Sequence, residues 1–172
     1  RSDRFEVPYA AMVHDFAVTR DYVLFPLFPL TFDLDRMSKI GSPFAFDATA
    51  GAYIGVVERD APVSEIRWIE APVCFVFHYL NAWNDGTQVT FDAIDFAVAP
   101  NFPDRDGTLP GHAEAQGRLT RWRLDVSTGE IDRELLVDVP AEFPRIDDRF
   151  AMSRHRHGYL ATASQRQRGD GG

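Results

Sequence analysis

The chain has little cysteine, little basic charge and no long hydrophobic run, and each shortage argues against a class of protein. A single cysteine among 172 residues allows no internal disulfide, so we expect a cytoplasmic protein. With 18 Lys and Arg residues against 26 Asp and Glu, the formal net charge is −8, which disfavours a nucleic-acid partner. No apolar run approaches the ~18 residues that a membrane-spanning helix needs.

Several motifs that would identify an enzyme class are also missing. The sequence contains no His-Glu-x-x-His, no Gly-x-Ser-x-Gly, no phosphate-binding glycine loop and no cysteine pair. Hydrolase, kinase and zinc-binding functions therefore have no support in the sequence. The lone Cys74 lies inside an apolar run and is interpreted as an inert core thiol.

What the sequence does contain is a series of short strands. Nine or ten strand-like runs follow one another, mostly joined by turn residues, and no segment has the pattern of a convincing helix. The Asp85-Gly86 pair between the runs 73–83 and 88–96 is the strongest short-range hairpin signal. The pattern predicts an all-β fold and leaves a sandwich, a barrel and a propeller open.

The apolar run from Val73 to Phe77 leads directly into His78. No polar residue interrupts this run, which is typical of a strand buried on both faces. A histidine at the end of such a strand is held by a rigid frame, as a metal ligand must be. His78 is therefore the first candidate for a metal-binding residue.

His14, in the segment 12–19, and Glu142, in the segment 141–146, lie in similar strand-like surroundings. Two histidines and a carboxylate suggest a metal site, although each histidine could also be a core residue and Glu142 could pair with Arg145. The facial triad of other Fe(II) oxygenases is disfavoured, because it normally includes a close His-x-Asp/Glu pair and His14 is followed directly by Asp15.

Three segments resemble signature segments of the carotenoid cleavage oxygenase family, in the family's order: residues 14–19, 77–83 and 142–146. The bacterial carotenoid and lignostilbene dioxygenase branch is the most similar. The resemblance implies a seven-bladed β-propeller with iron on its axis, of which this chain would supply three to four blades as an internal fragment. We expect residues 1–163 to form this partial propeller and the polar residues 164–172 to be a disordered tail.

The resemblance also implies a metal site. Family members hold one Fe(II) by four histidines, and glutamates accept hydrogen bonds from the outer ring N–H groups of three of them. His14 and His78 match two of the ligands, and Glu142 matches the glutamate behind His78. The other two ligands are expected outside this chain, so no tight iron binding is expected of this piece alone.

The function implied is that of an Fe(II)-dependent dioxygenase. Such an enzyme cleaves a C=C bond of a carotenoid, apocarotenoid or stilbene with O2 and gives two carbonyl products. The resemblance further implies peripheral membrane contact of the full-length protein, although no basic amphipathic helix in the sequence supports it. The alternative is a propeller fragment with a structural or binding role and no catalysis.

The remaining candidates are interpreted as structural or exposed. Asp15 follows His14 on a strand and should point to the opposite face, so it is not predicted to be a ligand. His155 and His157 lie in a charged Arg-His-Arg-His joint and His112 lies in a long loop, so all three are expected at the solvated surface.

Overall fold

A computed structural model of the chain describes residues 2–162, so the predicted tail at 164–172 lies outside the described residues. The regular structure of the described part consists mainly of short antiparallel strands, as the sequence predicts. In chain order they are β1 (Ala17–Val18), β2 (Tyr22–Leu27), β3 (Leu30–Phe32), β4 (Phe44–Phe46), β5 (Ala52–Glu58), β6 (Arg67–Ala71), β7 (Phe75–Asp85), β8 (Gln88–Phe96), β9 (Arg118–Asp125), β10 (Ile131–Val137), β11 (Ala141–Arg145) and β12 (Tyr159–Thr162).

Helical structure is confined to single turns between strands. The helix α1 spans Met37–Ile40, and 3₁₀ turns lie at Leu34–Arg36, Ala48–Ala50, Val63–Glu65 and Asp148–Phe150. Within residues 2–162, therefore, no helix has the length and apolar character needed to cross a bilayer.

Two four-stranded sheets and two strand pairs make up the architecture. The first sheet has the order β1-β2-β5-β6 and the second the order β10-β9-β8-β7. The pairs are β3-β4 and β11-β12. Four-stranded antiparallel sheets joined in sequence are the blades of a β-propeller. Two complete four-stranded sheets and two strand pairs agree with part of a propeller, while the expected number of three to four blades stays a prediction.

The core is one cluster of buried residues that come from both large sheets. Trp122 of β9 stacks on Phe91 of β8, with ring centres 5.4 Å apart, and its other aromatic partner is Phe28, which follows β2, at 6.2 Å. Phe75 at the start of β7 is also fully buried, in agreement with the uninterrupted apolar run before His78. This packing makes β7 and β8 a rigid frame for the residues at their ends.

Two features differ from the sequence prediction. The strand-like segment 12–19 does not form one strand: only Ala17 and Val18 pair with β2, while Ala11 just before the segment forms a lone bridge to Thr31 of β3. The chain therefore changes partner between these points, and residues 13–16 belong to neither ladder. Strands β3 and β4 have three residues each, too few for the alternation that would predict them.

Candidate metal centre

His78 lies on β7 where the pairing with β8 is irregular. Val76 pairs with Asp95 and Tyr79 with Ala93, so two residues of β7 face a single residue of β8 at this point. The register shifts again between Tyr79 and Asn81. Such bulges re-aim side chains and are common beside active sites. Here they turn His78 towards the edge of the blade where β11 approaches.

Glu142 of β11 holds the His78 ring. Its Oε2 lies 2.7 Å from His78 Nδ1, and the backbone N–H of Phe143 donates to the same oxygen. With a carboxylate on Nδ1, that nitrogen carries the proton and Nε2 presents its lone pair. The predicted alternative of a Glu142–Arg145 pair is therefore not the arrangement that the structure has.

His14 lies in the unpaired stretch between the Ala11 bridge and β1, and its ring lies beside that of His78. The two ring centres are 5.2 Å apart and the ring planes cross at 81°. His14 is the more exposed of the two, and its ring also contacts the edge of Phe77 at 5.2 Å. Two imidazoles at this separation can approach a common ion, since each ligating nitrogen needs to lie only about 2.1 Å from the metal.

The side chain of Asp15 connects the two histidine segments by accepting a backbone hydrogen bond. Its Oδ2 accepts the backbone N–H of Tyr79 at 3.1 Å, and its Oδ1 accepts that of Phe16 at 2.8 Å. No role was predicted for Asp15, because a contact across 64 residues has no local signal in the sequence. Its only available signal was its place directly after a candidate ligand.

Aromatic side chains surround the histidine pair. The Phe143 ring lies 5.5 Å from that of His78, although Phe143 has a left-handed φ of 51° and is 63% exposed. A non-glycine residue in that region is strained, and such strain is concentrated at functional sites. Phe143, Glu142 and His112 also line a cavity of about 530 Å³ that opens beside the site.

The donors present fit a ferrous ion in part. Imidazole nitrogen suits Fe(II), and the pair His14 and His78 offers two such donors. Within residues 2–162 no three His, Cys, Asp or Glu side chains are grouped to hold a metal. The Oε1 atom of Glu142 is buried and has no hydrogen-bond partner in that range. Because buried polar atoms are nearly always paired, groups from elsewhere are expected to complete this site.

The prediction for His155 was wrong, since its side chain is only 7% exposed. Its Nε2 lies 3.5 Å from the fully buried Asp92 and its Nδ1 lies 3.2 Å from Asn81. Burial lowers the pKa of His155, while the nearby Asp92 opposes that shift. The local charge pattern did not reveal this position, because the strand partners that bury it are more than 60 residues away. His157 and His112 are exposed as expected.

Cys74 is buried, and burial raises the pKa of its thiol. A thiol in that state carries little thiolate at neutral pH, which agrees with an inert core residue.

The chain is similar to known proteins along most of its length. The family model described as retinal pigment epithelial membrane protein matches residues 1–171. Isoeugenol monooxygenase of Pseudomonas nitroreducens is 39% identical over 166 residues, which are 95% of this chain and 35% of that protein. Carotenoid cleavage oxygenase 1 of Neurospora crassa is 36% identical over 89% of this chain and 30% of its own length.

A solved structure has the same fold. The crystal structure of Pseudomonas brassicacearum lignostilbene dioxygenase matches with a TM-score of 0.85 and 36% identity, over 94% of this chain and 35% of that one. The matched fold is a seven-bladed β-propeller, and the sheets of this chain are part of one. The chain spans about a third of the length of the relatives it matches.

Proposed function

The chain belongs to the retinal pigment epithelial membrane protein family, that of the carotenoid cleavage oxygenases, and from this membership we propose that the full-length protein is an Fe(II)-dependent dioxygenase. Its reaction adds both atoms of O2 across a conjugated C=C bond, which breaks to give two carbonyl products. The observation that carries the proposal is the pair of imidazoles 5.2 Å apart, one of them held by a carboxylate.

His14 and His78 are the residues that would hold the iron. Bound iron supplies O2 activation, which no side chain of this site provides. Glu142 keeps a proton on Nδ1 of His78, so that Nε2 stays free to bind. The carboxylate also makes the imidazole a stronger donor, which favours retention of a weakly bound divalent ion.

The substrate class follows from the apolar surroundings. Phe77 and Phe143 place aromatic rings against the histidines, and Phe143 and Phe96 also line a cavity of about 530 Å³. Aromatic walls exclude water and accept flat, conjugated molecules. We therefore propose a carotenoid, apocarotenoid or stilbene as substrate. Because the chain has a single cysteine, we also propose a cytoplasmic location for the enzyme. Because it would hold two of four histidine ligands, the 172-residue chain alone is proposed to be inactive.

Iron content of the full-length protein tests the proposal. We expect stoichiometric iron in the wild type and loss of most of it in His78→Ala. Glu142→Gln should bind iron about 10–100-fold more weakly, because a neutral amide orients and polarises the imidazole less well. His157→Ala, which changes an exposed histidine on the same chain, is the matched control and should retain iron.

Two results would contradict the proposal. Unchanged iron in His78→Ala would remove His78 from the site. Absence of both iron and alkene cleavage in the wild-type full-length protein would favour a propeller with only a structural or binding role.

A further inference from the structure

We propose that Asp15 is a positioning residue that fixes the distance between the two histidines, a role that rests on the proposed function. Asp15 follows His14 directly, and its carboxylate accepts the backbone N–H of Tyr79, the residue after His78. One side chain thus joins the backbone positions next to both candidate ligands. Within residues 2–162, the stretch 13–16 makes no other hydrogen bond to β7.

The need for this bond follows from the irregular strand at His78. Register shifts lie on both sides of Tyr79, so the β7–β8 ladder constrains this point less than it does the rest of the strand. The His14 side is no better constrained, because residues 13–16 lie between two ladders. A carboxylate between them supplies a charge-assisted hydrogen bond, which is stronger than a bond between neutral groups.

The geometry also excludes Asp15 as a third ligand in this conformation. Within residues 2–162 no three His, Cys, Asp or Glu side chains are grouped to hold a metal, and both Asp15 oxygens accept backbone N–H groups, Oδ2 from Tyr79 at 3.1 Å and Oδ1 from Phe16 at 2.8 Å. Asp15 therefore acts through the positions of His14 and His78 and does not touch the ion itself.

The test uses the full-length protein with Asp15→Ala and Asp15→Asn. Ala removes both acceptors, whereas Asn keeps one oxygen and can satisfy only one of the two N–H groups. We expect Fe(II) affinity, measured by competition with a chelator, to fall about tenfold or more in Asp15→Ala and less in Asp15→Asn. Hydrogen exchange at the Tyr79 amide should accelerate in the same order.

A second readout separates positioning from general destabilisation. The visible absorption of bound Co(II) depends on ligand geometry, so its bands should shift in Asp15→Ala. Asp33→Ala is the matched control, because Asp33 is exposed and its carboxylate also accepts a backbone N–H, that of Asp35, but away from β7. That variant should keep the wild-type affinity, spectrum and Tyr79 exchange.

The outcomes distinguish this inference from the proposed function. If wild type binds iron and His78→Ala does not, but Asp15→Ala matches wild type in affinity and Co(II) spectrum, the positioning role is overturned and the function stands. A lower melting temperature with unchanged metal binding overturns it too. If wild type binds no Fe(II), the proposed function fails, and this inference fails with it.

Discussion

Asp95 has a buried carboxyl group whose ionisation should oppose folding. The side chain on β8 is 13% exposed; it accepts the indole N–H of Trp122 at 2.9 Å and lies 3.6 Å from Arg133. Burial raises its pKa to about 6, although the Trp122 hydrogen bond and the Arg133 charge lower it. Because an unfolded Asp ionises near pH 4, the folded state holds an extra proton between about pH 4 and pH 6.

The contribution of Asp95 to folding stability therefore falls as the pH rises from about 4 to about 6. Asp95→Asn removes the titration and can still accept from Trp122 with its amide oxygen. The free energy of unfolding of Asp95→Asn minus that of wild type should therefore increase between pH 4 and pH 7, by up to about 3 kcal/mol. Urea unfolding at several pH values measures this.

The control is Asp132→Asn. Asp132 lies on β10, the edge strand of the same sheet, and its side chain is 72% exposed. Its difference from wild type should change little over the same range. A flat difference between Asp95→Asn and wild type from pH 4 to pH 7 would show that the Asp95 carboxyl is not destabilised by burial.

At the scale of single residues, the sequence revealed only what is encoded locally. His14, His78 and Glu142 stand in recognisable segments, and the structure brings these three side chains together. The bond from Asp15 to Tyr79 and the burial of His155 both depend on partners more than 60 residues away. Local polarity predicted the wrong environment for His155, because tertiary packing decides burial.

At the scale of elements, Arg121 of β9 stabilises its blade through Asp92 of β8. These residues face each other in the register, and the guanidinium donates from Nε and Nη2 to both carboxylate oxygens at 2.8 Å. The guanidinium also lies over the Trp83 ring, 5.1 Å from its centre. Asp92 is fully buried, and Arg121 is its nearest charged partner, since His155 Nε2 lies farther away at 3.5 Å.

Arg121→Met should therefore lower the free energy of unfolding by about 3–5 kcal/mol, because it leaves a buried carboxylate without its partner. The double variant Arg121→Met/Asp92→Asn should recover part of that loss. Denaturant unfolding measures both.

Arg123→Met, two residues along the same strand, is the matched control. Arg123 pairs with Asp132 and Glu134 at the surface, and exposed pairs contribute about 0–1 kcal/mol. Equal losses of unfolding free energy in Arg121→Met and Arg123→Met would mean that the Arg121–Asp92 pair stabilises the fold no more than an exposed pair does.

The elements themselves were predictable where pattern and length were sufficient. The hairpin of β7 and β8 follows from two apolar runs around Asp85-Gly86, and β9 pairs next to it in the same sheet. The change of partner between Met12 and Ala17 was not predictable, because an extended segment looks the same whether or not it has a neighbour. That change is what frees residues 13–16 to reach β7.

At the scale of the whole molecule, the chain is about a third of the length of its relatives, and two of its four sheets have only two strands. The pair β11-β12 has only two strands, and Phe143 and Tyr159 on it are 63% and 66% exposed. A two-stranded pair is marginally stable in water without further strands or packing. In the full-length propeller, neighbouring strands are expected to cover these side chains.

The uncovered β11-β12 pair should make hydrogen exchange in the isolated 172-residue chain differ from that in the full-length protein. In the isolated chain the amides of β11 (Ala141–Arg145) should exchange with solvent at least about tenfold faster, because the pair opens locally. Amides at the centre of β8, near the buried Phe91, should stay protected in both and serve as the internal control. Hydrogen exchange read by mass spectrometry measures the two segments in one experiment.

Local opening of β11 also affects the candidate metal centre, because β11 carries Glu142. When β11 opens, His78 loses the acceptor on its Nδ1, and Nε2 is no longer fixed as the free nitrogen. The isolated chain should therefore fail to retain Fe(II) through gel filtration, for lack of this support as well as of further ligands. Equal protection of β11 in both proteins, together with retained iron, would mean that this third of the propeller forms a complete site by itself.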